Sequence, residues 1–377
     1  MKKIFYFALL LFGFIACEKE NEEQLSPIYY TYTGYIGTND NSTIISYDSN
    51  LIICGNSGDN ISIIKITKSG DEIWRKDFNA GNMSEALSIV QTDNEYLFAC
   101  GSTYRNYSKT GKDILLIKMN FTGDTIWTKT YGSVDEDYGK NLIETSDGNL
   151  IIAGGTYGSD LFGDIYLLKI DQNGDTIWTK RFSDNDQEVP FNLLETTNGE
   201  YLITGTNEDN KNPRGLYLLK VNTNGEILWN NTIGAGLWKW GYSTIELSSD
   251  ELLTCGMYTL DGHSQILILK TDNQGNIIWE KEYGEEELSE QGNSIKQNFD
   301  GTFTITGSSY DSRTVQSDIV LMKIDRNGNQ IWFKKFGGPQ SEIGINLIKD
   351  INDNNIITGD YDGNIFMTTI DNNGNFK

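Results

Sequence analysis

The chain has 377 residues, of which 30 are basic and 53 acidic, for a net charge of −23. A field of that sign repels phosphate backbones, which argues against a nucleic-acid partner. Its one histidine rules out any multi-histidine metal centre.

The N-terminus reads MKKIFYFALLLFGFIAC, two lysines followed by a short apolar run. That is the form of an export signal, too short to span a bilayer as a stable helix, and residues 1–16 are assigned to it. Phe14-Ile15-Ala16-Cys17 resembles a bacterial lipobox, which implies cleavage before Cys17 and acylation of its thiol as a lipid anchor. The segment that follows, EKENEEQLSP, has nothing to bury, so residues 17–27 are the acylated cysteine and a disordered tether. Glu18-Lys19-Glu20 is similar to surface-export tags on lipoproteins of some Gram-negative bacteria, implying an exported protein exposed at the outer membrane. Without Lys2 and Lys3, 28 basic residues face 53 acidic ones, a net charge of −25. No later segment is long and apolar enough to cross a membrane.

From residue 28 onward the chain repeats. KSGDEIW, FTGDTIW, QNGDTIW, TNGEILW, NQGNIIW and RNGNQIW end in Trp74, Trp127, Trp178, Trp229, Trp279 and Trp332, at intervals of 53, 51, 51, 50 and 53. A period near 50 signals a repeat architecture. Within a unit such as 141–181, short Ile/Leu/Tyr/Thr runs alternate with Asp-Gly and Asn-Gly turns, and nothing has helical spacing. Four antiparallel strands per unit make a propeller blade. Gly55, Gly101, Gly154, Gly205, Gly256, Gly307 and Gly359 each follow a small residue and raise the count to seven units. They are expected to let neighbouring blades approach closely. Cys54, Cys100 and Cys255 fill small-residue slots and read as buried, unpaired thiols. Twelve positions before each small residue lies Ser42, Ser88, Asn141, Asn192, Ser243, Ser294 or Asn346, a ring expected to bond between blades.

The last unit stops at DNNGNFK, before its tryptophan strand. IYYTYTG at 28–34 precedes Ser42 by 14 residues, the offset from Trp127 to Asn141. The expected fold is therefore all-β: residues 28–377 form a seven-bladed propeller of four-stranded antiparallel blades, closed by pairing the N-terminal strand with the strand near 365–370. Closure removes two exposed sheet edges.

Tight turns share one face, and the longer, irregular connections share the other. Binding residues concentrate on variable loops over a rigid scaffold. On that long-loop face IGAGLWKWGY carries Trp238 and Trp240 outside the repeat pattern, and nearby loops add Tyr104, Tyr107, Tyr138, Tyr157, Phe162, Tyr258 and Tyr310. Aromatic platforms beside acids suit sugars and protein partners alike. The ligand-binding candidates are Trp238, Trp240, Tyr138, Tyr157 and Phe162; the alternative for Trp238 and Trp240 is packing at a blade junction.

The D-x-N-G-D turns lack the ligand pattern of a calcium loop and read as hairpins. The acidic runs at 134–139, 183–188 and 284–290 read as solvated loops, His263 as an exposed loop residue. No metal site and no cofactor are assigned.

The D-x-x-G-x-x-x-W pattern across residues 28–377 resembles the tryptophan-docked blades of quinoprotein-like propellers, in which turn and Trp lock blade to blade. That resemblance carries the architecture without the cofactor, since the vicinal cysteines and metal ligands are missing. The turns are also similar to the sialidase Asp-box, with longer spacing; Arg105, Arg214 and Arg313 lie in alternate blades, whereas sialidases need a converging arginine trio. WTKTYG resembles the W-x-K-x-Y-G repeats of a group of bacterial surface lipoproteins. The expected function is a non-catalytic, lipid-anchored binding module, a monomer whose partner is a glycan or an outer-membrane protein. The alternative is a glycoside hydrolase using paired carboxylates among Asp135, Asp137, Asp184 and Glu188.

Overall fold

The computed structural model describes residues 30–33, 35–36, 41–79, 84–105, 111–158, 163–183, 187–208 and 215–377. The expected signal, Cys17 and the tether lie outside the described residues, as do Tyr107, Phe162, Asp184 and Arg214.

Seven antiparallel sheets follow one another along the chain. Blade 3 is representative. Its strands Glu136–Glu144, Leu150–Tyr157, Gly163–Ile170 and Thr176–Phe182 run from the inside of the disc outward. Blades 2, 4, 5 and 6 occupy 84–131, 187–233, 238–283 and 289–336 in the same order. Blade 7 has three strands from 342–370, and Tyr30–Thr33 supplies its fourth. The register is antiparallel, Tyr30 opposite Met367 and Thr33 opposite Asn364. The chain's two ends thus complete one sheet, the closure expected from the 14-residue offset.

That equal offset conceals a redistribution. Thr31 and Thr130 hold equivalent slots, opposite Phe366 and Leu115. Ile36 reaches the inner strand of blade 1, opposite Gly55, only five residues after Thr31. In blade 3 the same step, from Thr130 to Gly139, takes nine. The missing length reappears inside blade 1, whose inner strand is split into Tyr35–Ile36 and Thr43–Ile45.

Blades pack face to face, so each core lies between two sheets. One cluster joins Ile52, Cys54, Ile61 and Ile63 of blade 1 to Ile89, Ala99, Leu115 and Ile117 of blade 2. The closing junction has its own core: Leu51, Ile53 and Ile64 pack with Ile356, Ile365 and Met367. Each such side chain contributes about 1.5–3 kcal/mol by leaving water. Cys54, Cys100 and Cys255 are buried, and none is in a disulfide among the described residues.

The repeated W-x-K-x-Y segment clasps the next blade. The Trp127 ring, the Lys129 stem and the Tyr131 hydroxyl all lie against Gly174, the turn glycine of blade 3. Tyr131 donates to the Gly174 carbonyl at 2.8 Å, and Lys129 reaches the Asn173 carbonyl at 2.7 Å. Trp74, Trp178, Trp229, Trp279 and Trp332 lie in the same way against Gly123, Gly225, Gly275, Gly328 and Gly374. Within each turn the leading side chain caps backbone amides: Asp171 Oδ1 accepts from Asn173 N at 2.9 Å and Asp175 N at 2.8 Å. These amide bonds hold the Asp171 carboxyl below its usual range. This is a hairpin device.

The conserved spacing of glycines has a different cause from the one expected. A Cβ on Gly154 would overlap the Tyr138 carbonyl oxygen of its own blade, not a neighbouring blade. The inner strand bulges there, between Gly139 and Asn141, and the same bulge recurs in blades 2 and 4–7. Bulging pushes the inner carbonyl toward the second strand, where only glycine leaves room.

The ring of small polar residues does bond between blades. Ser88, Ser243 and Ser294 accept from Leu142, Ile295 and Leu347 amides of the following blade at 3.1, 3.4 and 3.2 Å. Asn346 of blade 7 donates to Ser42 of blade 1 at 2.7 Å.

Candidate functional site

The residue inserted at each bulge lines the axis of the disc: Leu87, Lys140, Phe191, Tyr242, Asn293 and Ile345. Three of them are in contact in turn. The Lys140 amine lies 4.1 Å from the Phe191 ring centre, and Phe191 meets Tyr242 edge-on at 5.1 Å. Burial pushes the Lys140 amine down to about 8, with the Glu85 charge opposing that shift. Asn41, the blade 1 counterpart, accepts from Ile89 N at 2.9 Å and donates to Asn141 at 3.3 Å. Side chains of blades 3, 4 and 5 thus pack together at the axis.

Above it, toward the long-loop face, the inner strands carry the aromatics that the sequence assigned to loops. Trp238 and Trp240 both belong to the strand Trp238–Glu246. Side chains two apart on a strand share a side, and the two indoles stack at 5.7 Å and 27°. Trp240 is only 8 % exposed, whereas Trp238 is 45 % exposed. Tyr138 holds the slot of Trp240 in blade 3, and it stacks on Tyr157 at 5.6 Å and 26°. The two aromatic pairs lie two blades apart, with Val189 in the equivalent slot of blade 4. They do not form one cleft.

One acid of each acidic run is not solvated as charge alone would suggest. Asp137, Glu188 and Glu290, together with Glu342, occupy one equivalent slot on four inner strands and are almost fully buried. Three of them cap the connection before their own strand: Asp137 accepts from Ser133 N at 2.6 Å, Glu290 from Glu285 N at 2.9 Å, and Glu342 from Gly338 N at 3.1 Å. Burial raises the Glu342 carboxyl to about 7, and the charges of Asp318 and Asp362 add to the shift. Asp137 and Glu188 therefore present no carboxylate to a substrate cleft. Asp135 is paired with Arg181 at 3.2 Å. No group of three or more metal-ligating side chains is present among the described residues.

The arginines are equally occupied. Arg105 binds Asp113 at 2.8 Å and the carbonyls of Ser133 and Val134, while Arg313 binds Asp311 at 2.9 Å and Glu287 at 3.0 Å.

Blade 5 departs from the repeat on its long-loop side. Its buried-acid slot holds Lys239, paired with Glu280 at 2.5 Å and lying 5.2 Å from the Tyr258 ring. Its second and third strands, Leu252–Leu260 and His263–Thr271, extend to a tip at Asp261 and Gly262. Beside that hairpin lies a pocket of about 340 Å³, lined by Tyr258, Asp261, His263, Gln265, Glu282 and Glu286 among others. A smaller one, about 180 Å³, lies between blades 1 and 2 around Asn56, Glu85, Tyr104 and Lys112. The sequence marked Trp238 and Tyr258 one by one; their grouping in a single blade, with the only histidine, comes from the strand register.

No family model matches the chain, and no curated protein matches it in sequence. Solved structures match it in shape. BBS1N, solved in complex with ARL6DN, aligns with a TM-score of 0.55 and 10 % identity over 93 % of this chain and 99 % of that one. The WD40 domain of Neurospora crassa Pan2 aligns with a TM-score of 0.52 and 11 % identity, over 89 % and 88 %. Puromycin hydrolase aligns with a TM-score of 0.51 and 11 % identity over 88 % of this chain, which spans only 51 % of that protein. At such identities the likeness carries the propeller fold alone, a scaffold common to interaction modules and some enzymes.

Proposed function

We propose that this chain is an exported, lipid-anchored binding module whose working surface is the long-loop side of blade 5, and that its partner is a glycan or an outer-membrane protein. One observation carries the reading. In a ring of seven like blades, blade 5 carries an exposed indole on its inner strand and, on the other face of the same sheet, a pocket of about 340 Å³ beside its extended hairpin, an asymmetry suited to a single asymmetric ligand. Trp238 offers an apolar face for a sugar ring or a partner's side chain, and Asp261, Glu282 and Glu286 offer acceptors for hydroxyl or ammonium groups. The lipobox-like Cys17 and the tether support anchoring at the outer membrane. The hydrolase alternative loses Asp137 and Glu188 as accessible carboxylates, because both are buried.

A glycan array probed with the 28–377 fragment tests the proposal. Binding that drops at least tenfold in Trp238→Ala and Tyr258→Ala fits it. Binding unchanged in both would remove blade 5 as the site.

A further inference from the structure

The tight-turn face of the disc is not uniform. At the tip of each turn between inner and second strand, blades 2 to 5 carry Asp93, Ser146, Thr197 and Ser248. The adjoining blades 6, 7 and 1 carry Phe299, Ile351 and Tyr47 at the same position, 74 %, 79 % and 56 % exposed. Tyr47 also bonds Asp93 through its hydroxyl. Leaving such side chains in water forgoes burial of about 1.5–3 kcal/mol each. Three on one arc form an exposed apolar patch of the kind that marks an interaction surface.

The neighbouring turns differ along the same arc. The second position of the neighbouring turn is Lys68 in blade 1 and Arg326 in blade 6, while blades 2 to 5 have Phe121, Gln172, Thr223 and Asn273 there. Blade 7 has Asn372 there. Asp48, Asp300 and Asp353 pair with Lys65 at 2.7 Å, Lys323 at 3.1 Å and Lys349 at 2.8 Å, while Asp71, Asp325, Asp350 and Asp371 of the same turns accept from hydroxyls and amides of those turns. Aromatic and branched tips on one arc suit a bilayer surface, their side chains entering the headgroup boundary.

Strand direction supplies the third observation. Tyr30–Thr33 runs antiparallel to Asn364–Ile370, with Tyr30 toward the tight-turn face and Thr33 toward the long-loop face. The chain preceding Tyr30 thus joins the disc on the tight-turn side of blade 7, at the middle of the apolar arc. We infer that blades 6, 7 and 1 rest on the lipid bilayer through Phe299, Ile351 and Tyr47, holding the long-loop face outward. This rests on the anchoring proposed for Cys17.

The test uses the full chain purified from membranes and reconstituted in phosphatidylethanolamine–phosphatidylglycerol vesicles containing doxyl-labelled lipid. Four variants, Phe299→Cys, Ile351→Cys, Thr197→Cys and Val134→Cys, each carry an NBD dye; Cys54, Cys100 and Cys255 are buried from the reagent. The mass of the N-terminal peptide reports acylation or labelling of Cys17. The expected result is at least twofold stronger quenching at 299 and 351 than at 197 and 134. Equal quenching at all four positions, strongest quenching at 134, or none at any position would overturn the inference. An unacylated Cys17 would strike down the anchor instead, and quenching confined to 299 and 351 would still support this face as the bilayer contact.

Discussion

The Tyr32 hydroxyl donates to the Gly70 carbonyl at 2.6 Å, reaching from the N-terminal strand of blade 7 to the turn of blade 1. It repeats the bond from Tyr131 to Gly174 at 2.8 Å, so the junction closed by the chain's ends uses the clasp of an internal junction. Removing that hydroxyl in Tyr32→Phe is expected to cost about 0.5–1.5 kcal/mol, the net worth of one hydrogen bond. Urea denaturation would show it, and Tyr131→Phe should cost a similar amount.

Glycine at two neighbouring positions of blade 3 should respond in opposite ways. Gly154→Ala sets a methyl on the Tyr138 carbonyl and should lower stability by 2 kcal/mol or more, on the order of other overpacking costs. Gly148, with φ of 76°, lies in open space. Ser49, Glu95, Asp250 and Asp353 adopt φ of 61–64° in the equivalent turns. Gly148→Asn should therefore change stability by less than about 1 kcal/mol. Equal losses in thermal melts would contradict the bulge explanation.

Much of this architecture is legible in the sequence because its determinants are local. Alternating strands, Asp-Gly turns and a Trp every 50 or so residues each report on a few neighbouring positions. The site is less legible because burial and register are tertiary properties. Asp137, Glu188 and Glu290 look like any loop acid until their strands extend past the disc and turn them inward. Trp238 and Trp240 look equivalent in sequence, yet one is covered by its neighbourhood and the other is not. Lys140, Phe191 and Tyr242 meet only because a bulge in each blade turns them to the axis.

Glu342 predicts a pH dependence. Its carboxyl is raised in the fold from 4.5 to about 7, so the folded chain holds a proton that the unfolded chain has released. Stability should fall as pH rises from about 4.5 to about 7, then level off. Glu342→Gln keeps an acceptor for Gly338 N while removing the charge. It should gain on the order of 1–3 kcal/mol over the parent at pH 8 and show little difference at pH 4. Denaturation at several pH values checks this; an unchanged slope in the variant would assign the dependence to another group.

Lys140 should titrate early. Dimethylation with a carbon-13 label and NMR should show one lysine resonance with a midpoint near 8, absent in Lys140→Arg. A set of lysines all titrating in the ordinary range would mean that the axis admits water at Lys140.

Recognition is proposed to lie in blade 5. Isothermal titration of the 28–377 fragment with a panel of soluble polysaccharides, in Trp238→Ala, Tyr258→Ala and Tyr138→Ala, tests it most directly. The predicted result is a tenfold or greater loss of affinity in the two blade 5 variants and less than twofold in the blade 3 variant. Loss confined to Tyr138→Ala, or equal loss in all three, would contradict it.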